Sequence, residues 1–319
     1  MSRPQPAPAA GDFCVCDFFG SSPRHDLASL EHPLFSLSTR PDRRILNYTH
    51  NDVAVTVTPS VWGRATIFDA DILIFCISQL MAALNADRPV ARSLTLTAHD
   101  LLLATGRETS GDAYRRLKEA FERLAGTRIT TNILTGDNEV TTGFGLIESW
   151  EIVRKTRAGR MVSVSVTLSE WIYRAVIARS VLTLNRDYFG LRKPLERRLY
   201  ALARKHCGQQ QGWRVSVEVL LKKSGSASPR RVFRAMLRDI IARDSLPDYA
   251  LAEEPGDMIA VTRRDAEVIE AGRGLLLRPE TLEEARRLAP GMDIYALEAD
   301  WQAFARRTPP RNPDRAFLG

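Results

Sequence analysis

Along residues 216–243, apolar positions recur at helical spacing in two segments separated by a short polar stretch. This pattern predicts two helices joined by a turn. Ser216 precedes an apolar run that ends at Gly225. A serine accepts a backbone N–H at the start of a helix, and glycine adopts the left-handed conformation that ends one. After Ser228–Pro229, apolar residues recur at the spacing of one helix face: Phe233, Met236, Leu237, Ile240 and Ile241.

The second of these predicted helices has a basic face. Ser228 is predicted to cap it, with Pro229 at its first position, where no backbone N–H is needed. Arg231, Arg234 and Arg238 fall in one sector away from the apolar face when residues are placed about 100° apart. A helix, a tight turn and a basic-faced helix form the helix-turn-helix arrangement that enters a DNA groove. The alternative is a solvated basic face with no ligand.

Residues 92–128 carry the same pattern with a weaker charge. Thr97 and Asp100 form a capping box, Gly106 ends the first predicted helix, and an apolar stripe marks the second. Around that second helix Arg115 and Lys118 alternate with glutamates, which oppose phosphates. We therefore expect this helix to contribute less DNA affinity than the later one.

Strand patterns follow both helix pairs. After the first, residues 128–135 and 139–154 are predicted strands around Gly136–Asp137–Asn138, and a further strand covers residues 161–168. After the second, residues 249–253 and 258–263 flank Pro255–Gly256. A helix pair followed by a β-hairpin is the winged-helix order, so the pattern predicts this unit twice.

Three further helices and two short strands complete the prediction. The run after Asp69 and Asp71 is apolar around most of its circumference and should be a buried helix started by one of these aspartates. Ser169 caps another, and residues 53–58 and 181–185 are strand-like. Pro194 opens a helix with leucines on one side and arginines on the other.

The predicted fold class is α+β, with two tandem winged-helix domains and a C-terminal helical extension. Residues 1–25, rich in Pro, Ala, Ser and Gly, are predicted to be a disordered tail. The first winged-helix domain takes residues 26–188 and the second residues 189–268. Residues 269–319 form two helices split at Pro290–Gly291, with Thr281 and Glu284 as a capping box and a loose end. This extension either packs on the second domain or offers a docking surface.

Charge is concentrated in one part of the chain. The 319 residues have a net charge of +7, but residues 193–243 carry thirteen lysines and arginines against three acids. That segment is therefore at +10 and the remainder at −3. A concentrated positive charge suits a phosphate-bearing partner.

The sequence lacks the residue patterns that mark nucleotide hydrolysis, metal catalysis or a zinc site. The sequence has no G-x-x-x-x-G-K-[ST] phosphate loop, and its five histidines are dispersed. Asp69 and Asp71 lie two apart, so on a helix they do not face each other, and capping explains them better than metal catalysis. Four scattered cysteines form neither a disulfide framework nor a zinc site and suit a reducing cytoplasm. We expect no catalytic residue, no metal, no cofactor and no membrane segment.

Six stretches are together more specific than a generic helix-turn-helix: HPLFSLSTRPDRR, GRATIFDADILIFCISQL, LTLTAHDLLLATGRETSGDAYRRLKEAFERL, LERRLYALARKHCGQQQGW, LLKKSGS and RPETLEEARRLAPGMDIYALEADW. Through these stretches, which span about residues 26–305, the sequence resembles the plasmid replication initiator protein A family, of alphaproteobacterial type. The resemblance implies an initiator that binds repeats at a plasmid origin in double-stranded DNA. It also implies opening of adjacent A·T-rich DNA, recruitment of the host initiator and replicative helicase, and self-repression through a different oligomer such as a homodimer.

Candidate DNA contacts follow from the helix wheel and the predicted turns. Base contacts are expected mainly from Arg231, Arg234 and Arg238, beside Arg230. Phosphate contacts are expected from Lys222, Lys223, Ser228, Arg263 and Arg264, and the first domain would add Arg107, Thr109, Arg115 and Lys118. Two rival hypotheses remain open: a winged-helix transcriptional repressor without a replication role and, less well supported, an origin nuclease.

Overall fold

A computed structural model describes residues 22–50, 53–132, 141–154, 161–208, 210–264, 277, 279–288, 294–305, 310 and 312–318. Within these residues no helix is long and apolar enough to cross a membrane. The helices are α1 (Leu27–Glu31), α2 (Ala70–Asn85), α3 (Ala98–Ala104), α4 (Gly111–Gly126), α5 (Glu170–Ile177), α6 (Pro194–Cys207), α7 (Val217–Ser224), α8 (Arg230–Arg243), α9 (Pro279–Leu288), α10 (Ile294–Ala305) and α11 (Pro313–Leu318).

The strands form four small antiparallel sheets. Their bounds are β1 (Arg24–Asp26), β2 (Leu46–His50), β3 (Val53–Thr58), β4 (Ser93–Thr97), β5 (Arg128–Thr131), β6 (Thr142–Gly145), β7 (Ile147–Arg154), β8 (Met161–Leu168), β9 (Val181–Thr183), β10 (Gly212–Ser216), β11 (Tyr249–Glu254) and β12 (Met258–Arg263). The sheet orders are β1-β9, β2-β3-β5-β6, β4-β8-β7 and β10-β12-β11.

Two of these sheets belong to units with the same chain order. In each, a strand leads into two helices and then into an antiparallel hairpin, and the first strand pairs with the last. The first unit runs β4-α3-α4-β7-β8 and the second runs β10-α7-α8-β11-β12. The predicted structural repeat is therefore present in the order of elements and in the strand pairing. β5 and β6 lie between α4 and β7 in the first unit only and join the sheet of β2 and β3.

Helix α2 is buried on almost every side, as its apolar circumference predicts. Its start is fixed by an exchange of hydrogen bonds, in which Thr66 N donates to Asp69 Oδ2 at 2.7 Å and Asp69 N donates to Thr66 Oγ1 at 3.2 Å. The Asp69 carboxylate also receives Arg123 from α4 through two 2.8 Å hydrogen bonds. Asp69 thus occupies the N-cap position of α2, as predicted, but its side chain makes no capping hydrogen bond and instead ties the first helix pair to the start of α2.

The prediction of one strand over residues 139–154 is wrong. The chain forms two strands there, β6 and β7, and they belong to different sheets. The fully buried Leu146 separates them, because the chain turns at this residue from one sheet to the other. The predicted turn at Gly136–Asp137–Asn138 lies outside the described residues.

The hydrophobic core continues across the predicted boundary at residue 189. One cluster of buried residues extends from Leu30 to Val261, and α1 packs against α6. Arg198 of α6, which is 3% exposed, donates to the carbonyl oxygens of Ser29, Leu30 and Glu31 at 2.9–3.0 Å. The two repeated units are thus joined by a buried helix and not by an exposed linker.

Both ends of the chain contain more structure than the sequence predicts. Arg24 and His25, assigned to the disordered tail, form β1 with Asp26 and pair with β9; residues 1–21 lie outside the described residues.

At the C-terminal end, the segment expected to be loose contains α11. The ring of Phe317 contacts that of Trp301 edge-on, with 5.4 Å between the ring centroids. Thr281 is not a helix cap, because α9 begins at Pro279 and the Thr281 hydroxyl donates to Asp314 at 2.6 Å.

Candidate nucleic-acid interface

The turn between α7 and α8 is fixed by local contacts. Ser216 Oγ accepts the Val219 N–H at 3.2 Å and starts α7, and Gly225 has φ +68° at its end. A Cβ at Gly225 would lie 2.6 Å from Pro33 Cβ, so both the backbone angle and the close approach favour glycine. These two sequence predictions are confirmed.

Helix α8 starts one residue later than predicted. Pro229 is its N-cap and α8 begins at Arg230, with no side-chain capping hydrogen bond from Ser228. The Ser228 N–H instead donates to Ser226 Oγ at 3.3 Å. Phe233, Leu237 and Ile240 are fully buried beneath the helix, so the arginines on the other side face outward, as the wheel predicts.

Three of these arginines form ion pairs with the β11–β12 hairpin of the same unit. The Arg230 and Arg234 guanidinium groups each bind one oxygen of Asp257. Arg238 binds both oxygens of Glu253, through Nε at 2.8 Å and Nη2 at 2.9 Å. Hydrogen bonds from Arg230 and Arg238 lower the pKa of Asp257 and of Glu253, respectively. Both carboxylates are therefore ionised at neutral pH.

Other predicted contacts remain open to a ligand. Arg231 and Lys222 are exposed, and neither has an ion-pair partner among the residues that the structure describes. Ser228 is half-buried beside them at the start of α8. These side chains form the exposed and uncommitted part of the basic surface.

Lys223 does not belong to that surface. It is 5% exposed, and its ammonium group pairs with Glu31 of α1. Since a phosphate contact would require a buried ion pair to break, the sequence prediction for this residue is corrected to a structural role. Adjacent residues on a helix point about 100° apart. Lys222 therefore faces solvent on α7, whereas Lys223 points into the core.

Arg263, the last residue of β12, and Arg264, which follows it, also have structural partners. Arg264 binds the Asp244 carboxylate at 2.6 and 2.9 Å and the Leu246 carbonyl oxygen at 3.2 Å, which fixes the segment after α8. Arg263 Nη1 donates to the Gly208 carbonyl oxygen at 3.3 Å. Both side chains stabilise the second unit in the positions where the sequence suggested free phosphate ligands.

In the first unit, Arg107 is half-buried and reaches the buried Asp71. Its guanidinium donates to the Phe68 carbonyl oxygen and to the buried Asp71 at 3.2 Å, and Arg197 of α6 binds the same aspartate at 2.5 Å. Burial raises the pKa of Asp71, against the effect of both arginines. Asp71 thus joins the first helix pair to α6. Arg107 is engaged by these contacts, and its role as a DNA contact stays a prediction.

The exposed Arg115 and Arg116 of α4 are paired with acids of their own helix. Arg115 contacts Asp112 and lies 2.7 Å from Glu119, whereas Lys118 and Thr109 are exposed. The mixed charge of this face, predicted from the sequence, is therefore present as local ion pairs. No group of three or more His, Cys, Asp or Glu side chains in the described part of the chain could hold a metal ion.

The acidic residues of the second hairpin were missed by the sequence analysis. Glu253, Glu254 and Asp257 surround the Pro255–Gly256 turn, and a predicted wing with three acids should have drawn attention as a partner for a basic helix. Which arginines they bind depends on the approach of β11 to α8, and the pattern of residues does not contain that information.

Comparison with known proteins places the chain in a family. Residues 24–251 match the model of the family described as Replication initiator protein A. A "Putative replication protein" from Wigglesworthia glossinidia brevipalpis is 37% identical over 240 residues, which cover 74% of this chain and 87% of that protein.

The fold has a relative among solved structures. The crystal structure of domains 2 and 3 of RctB, as a selenomethionine derivative, is similar with a TM-score of 0.51 at 15% identity. The match covers 74% of this chain and 98% of that one. Family model and curated relative agree with the resemblance in the sequence, and the chain belongs to the replication initiator protein A family, which gives it a role in the initiation of DNA replication.

Proposed function

We propose that the chain is a plasmid replication initiator that binds repeated sites in double-stranded DNA through two tandem winged-helix units. The observation that carries this proposal is the second unit, in which α8 buries Phe233, Leu237 and Ile240 and turns its arginines outward. A helix held in this way can lie in the major groove, about 12 Å wide, while its hairpin follows the neighbouring backbone.

The proposed DNA contacts of the second unit fall into two groups, base contacts and phosphate contacts, according to their position. Arg231, Arg234 and Arg238 face away from the core of α8 and are the proposed base contacts. Lys222, at the end of α7, is the proposed phosphate contact, because the first helix of such a pair crosses the DNA backbone. The paired arginines of α4 are expected to add less, since phosphates compete there with Asp112 and Glu119.

The proposed mechanism of origin opening uses binding energy and no enzymatic step. The sequence has no phosphate loop, and Asp69 and Asp71 are already bound by arginines. Bending a DNA site costs on the order of 1–6 kcal/mol, which a footprint with many phosphate contacts can offset. Continuous unwinding then requires the host initiator and the replicative helicase, which are the proposed partners in the cytoplasm.

The test uses supercoiled plasmid DNA that carries the gene for this chain with its flanking sequences. Purified protein is added with magnesium and without nucleotide, first alone and then with host initiator. We expect protection of repeated sites and reactivity of an adjacent A·T-rich strand to a single-strand probe. A plasmid that replicates only when the intact gene is present supports the same conclusion in cells.

Two results would reject the proposal in different ways. Protection of a promoter operator with no strand opening and no replication would identify a transcriptional repressor. A site-specific nick, or a covalent product through a tyrosine, would identify a nuclease. The structure contains no specific observation that favours either alternative.

A further inference from the structure

The hairpin of the second unit offsets most of the positive charge on its basic helix. Of the α8 arginines on the outward face, Arg230 and Arg234 share Asp257 and Arg238 is bound by Glu253. These ion pairs join residues 15 to 27 positions apart, so they depend on the folded unit. Where α8 meets the hairpin, three arginines therefore face two carboxylates, and the net charge there falls from +3 to +1.

Asp257 is held firmly in this position. It has φ +62° in the turn between β11 and β12, next to Gly256 at φ +78°. Its carbonyl oxygen accepts the N–H of Val217, the first residue of α7, at 2.9 Å. The turn is thus attached to the helix pair, so the backbone that carries the Asp257 carboxylate is fixed relative to α7.

The ion pairs affect the two kinds of DNA contact differently. Non-specific binding consists of attraction between cations and phosphates, so an arginine whose charge is balanced by a nearby carboxylate contributes little to it. A base contact depends on the geometry of the N–H donors, of which a guanidinium has five. Arg230 and Arg234 each give Asp257 a single nitrogen, Nη2. Their Nη1 groups are not used by Asp257, whereas Nε of Arg234 is buried.

We infer that Asp257 and Glu253 are specificity-determining residues, which weaken the binding of α8 to phosphates more than its binding to bases. This inference rests on the proposed function and deepens it. The carboxylates raise the ratio of specific to non-specific affinity, and this ratio determines how well a protein finds its site among competing DNA.

The experiment compares two variants with the same change in charge. Asp257→Asn releases two α8 arginines, whereas Glu254→Gln releases Arg214 of β10, outside α8. Asparagine also tolerates the positive φ of residue 257. Both are titrated, at one salt concentration, with a duplex selected by the wild-type protein from a random-sequence library and with unselected duplex of the same length.

For Asp257→Asn we expect affinity for the unselected duplex to rise on the order of tenfold and affinity for the selected duplex to change by about twofold or less. For Glu254→Gln we expect both affinities to change by the same factor. Adding Glu253→Gln to Asp257→Asn should lower the specificity ratio further. Thermal unfolding of each variant identifies any loss of folded protein before the titrations are compared.

Two outcomes overturn the inference alone. If Asp257→Asn changes both affinities by one factor, Asp257 acts only through net charge. If that variant loses affinity for the selected duplex only, Asp257 positions the arginines for base contacts and does not weaken the binding of α8 to phosphates. A wild-type protein that selects no sequence from the library would instead reject the proposed function, and this inference with it.

Discussion

Helices α6 and α8 have the same length and the same predicted pattern, but they place their arginines in opposite environments. Each has fourteen residues, with apolar residues on one side and arginines on the other. In α6, Arg197 and Arg198 are both 3% exposed. In α8, the Arg238 side chain is 61% exposed. The pattern within a helix shows which residues share a face, but not what covers that face.

The difference comes from what packs on each helix. The short helix α1 ends against α6, and its last carbonyl oxygens have no partners within the helix. Arg198 supplies them with hydrogen bonds and also donates to the Lys223 carbonyl oxygen at the end of α7, at 2.8 and 3.2 Å. Burial lowers the pKa of Arg198 to about 10, which leaves it charged at neutral pH. No helix of the described chain covers the outer face of α8 in this way.

The largest expected effect is loss of stability when Arg198 is removed. Arg198→Met should lower the free energy of unfolding by about 3–5 kcal/mol, because four buried carbonyl groups lose their donors. Arg231→Met on α8 is the matched control and should change it by about 0.5 kcal/mol or less. Denaturant unfolding of both variants measures the contrast, and equal effects would show that α6 is not the buried junction.

A second stability effect should depend on pH. Burial alone would raise the pKa of Glu31, but the nearby His206, whose Nε2 lies 3.4 Å from Glu31 Oε2, and the ion pair with Lys223 outweigh it and hold the pKa well below its usual range. A carboxyl with a lowered pKa stabilises the fold above its unfolded pKa, about 4.3, and loses this contribution as the pH falls. Glu31→Gln should therefore cost on the order of 1–3 kcal/mol at pH 7 and progressively less below pH 4.

Urea titrations at pH 7, 5 and 3.5 measure this difference between wild type and Glu31→Gln. Glu148→Gln provides a control, since Glu148 pairs with Arg92 at the surface and its side chain is 56% exposed. A difference for Glu31→Gln that does not shrink toward low pH would contradict the assigned ion pair with Lys223.

The sequence predicts the local elements of the fold better than their partners. Ser216, Gly225, Thr97 and Ser169 act as predicted because caps and turn residues act through the backbone within a few positions. The break at Leu146 was missed because both sides of it have strand patterns, and only pairing with different neighbours separates them. Whether such a stretch forms one strand or two therefore depends on contacts with residues that are distant in the sequence.

The candidate site shows the same limit. The outward face of α8 follows from its apolar period, whereas the contacts of Arg107 and Lys223 depend on Asp71 and Glu31, which are 36 and 192 residues away. A count of positive charges over residues 193–243 includes the buried Arg197, Arg198 and Lys223 with the exposed residues. That count therefore overstates the charge available to DNA.

Among the surface residues, α8 and α4 should differ in DNA affinity. Arg231→Ala should weaken binding to the selected duplex on the order of tenfold or more if it makes a bidentate base contact. Arg115→Ala with Lys118→Ala should have a smaller effect, because Arg115 is already paired with Asp112 and Glu119. Binding titrations at one salt concentration measure both, and equal losses would reject the dominance of the second unit.

The smallest expected effect separates two neighbouring lysines. Lys222 is exposed and Lys223 is buried against Glu31, so only Lys222 should release a counterion when DNA binds. Lys222→Ala should make the slope of log K against log salt shallower by about one unit and weaken specific and random duplexes by the same factor. Lys223→Ala should lower the unfolding midpoint and leave the slope of the remaining folded protein unchanged. A double variant whose slope falls by about two units would place Lys223 at the DNA, and the interior ion pair with Glu31 would then have to open in the complex.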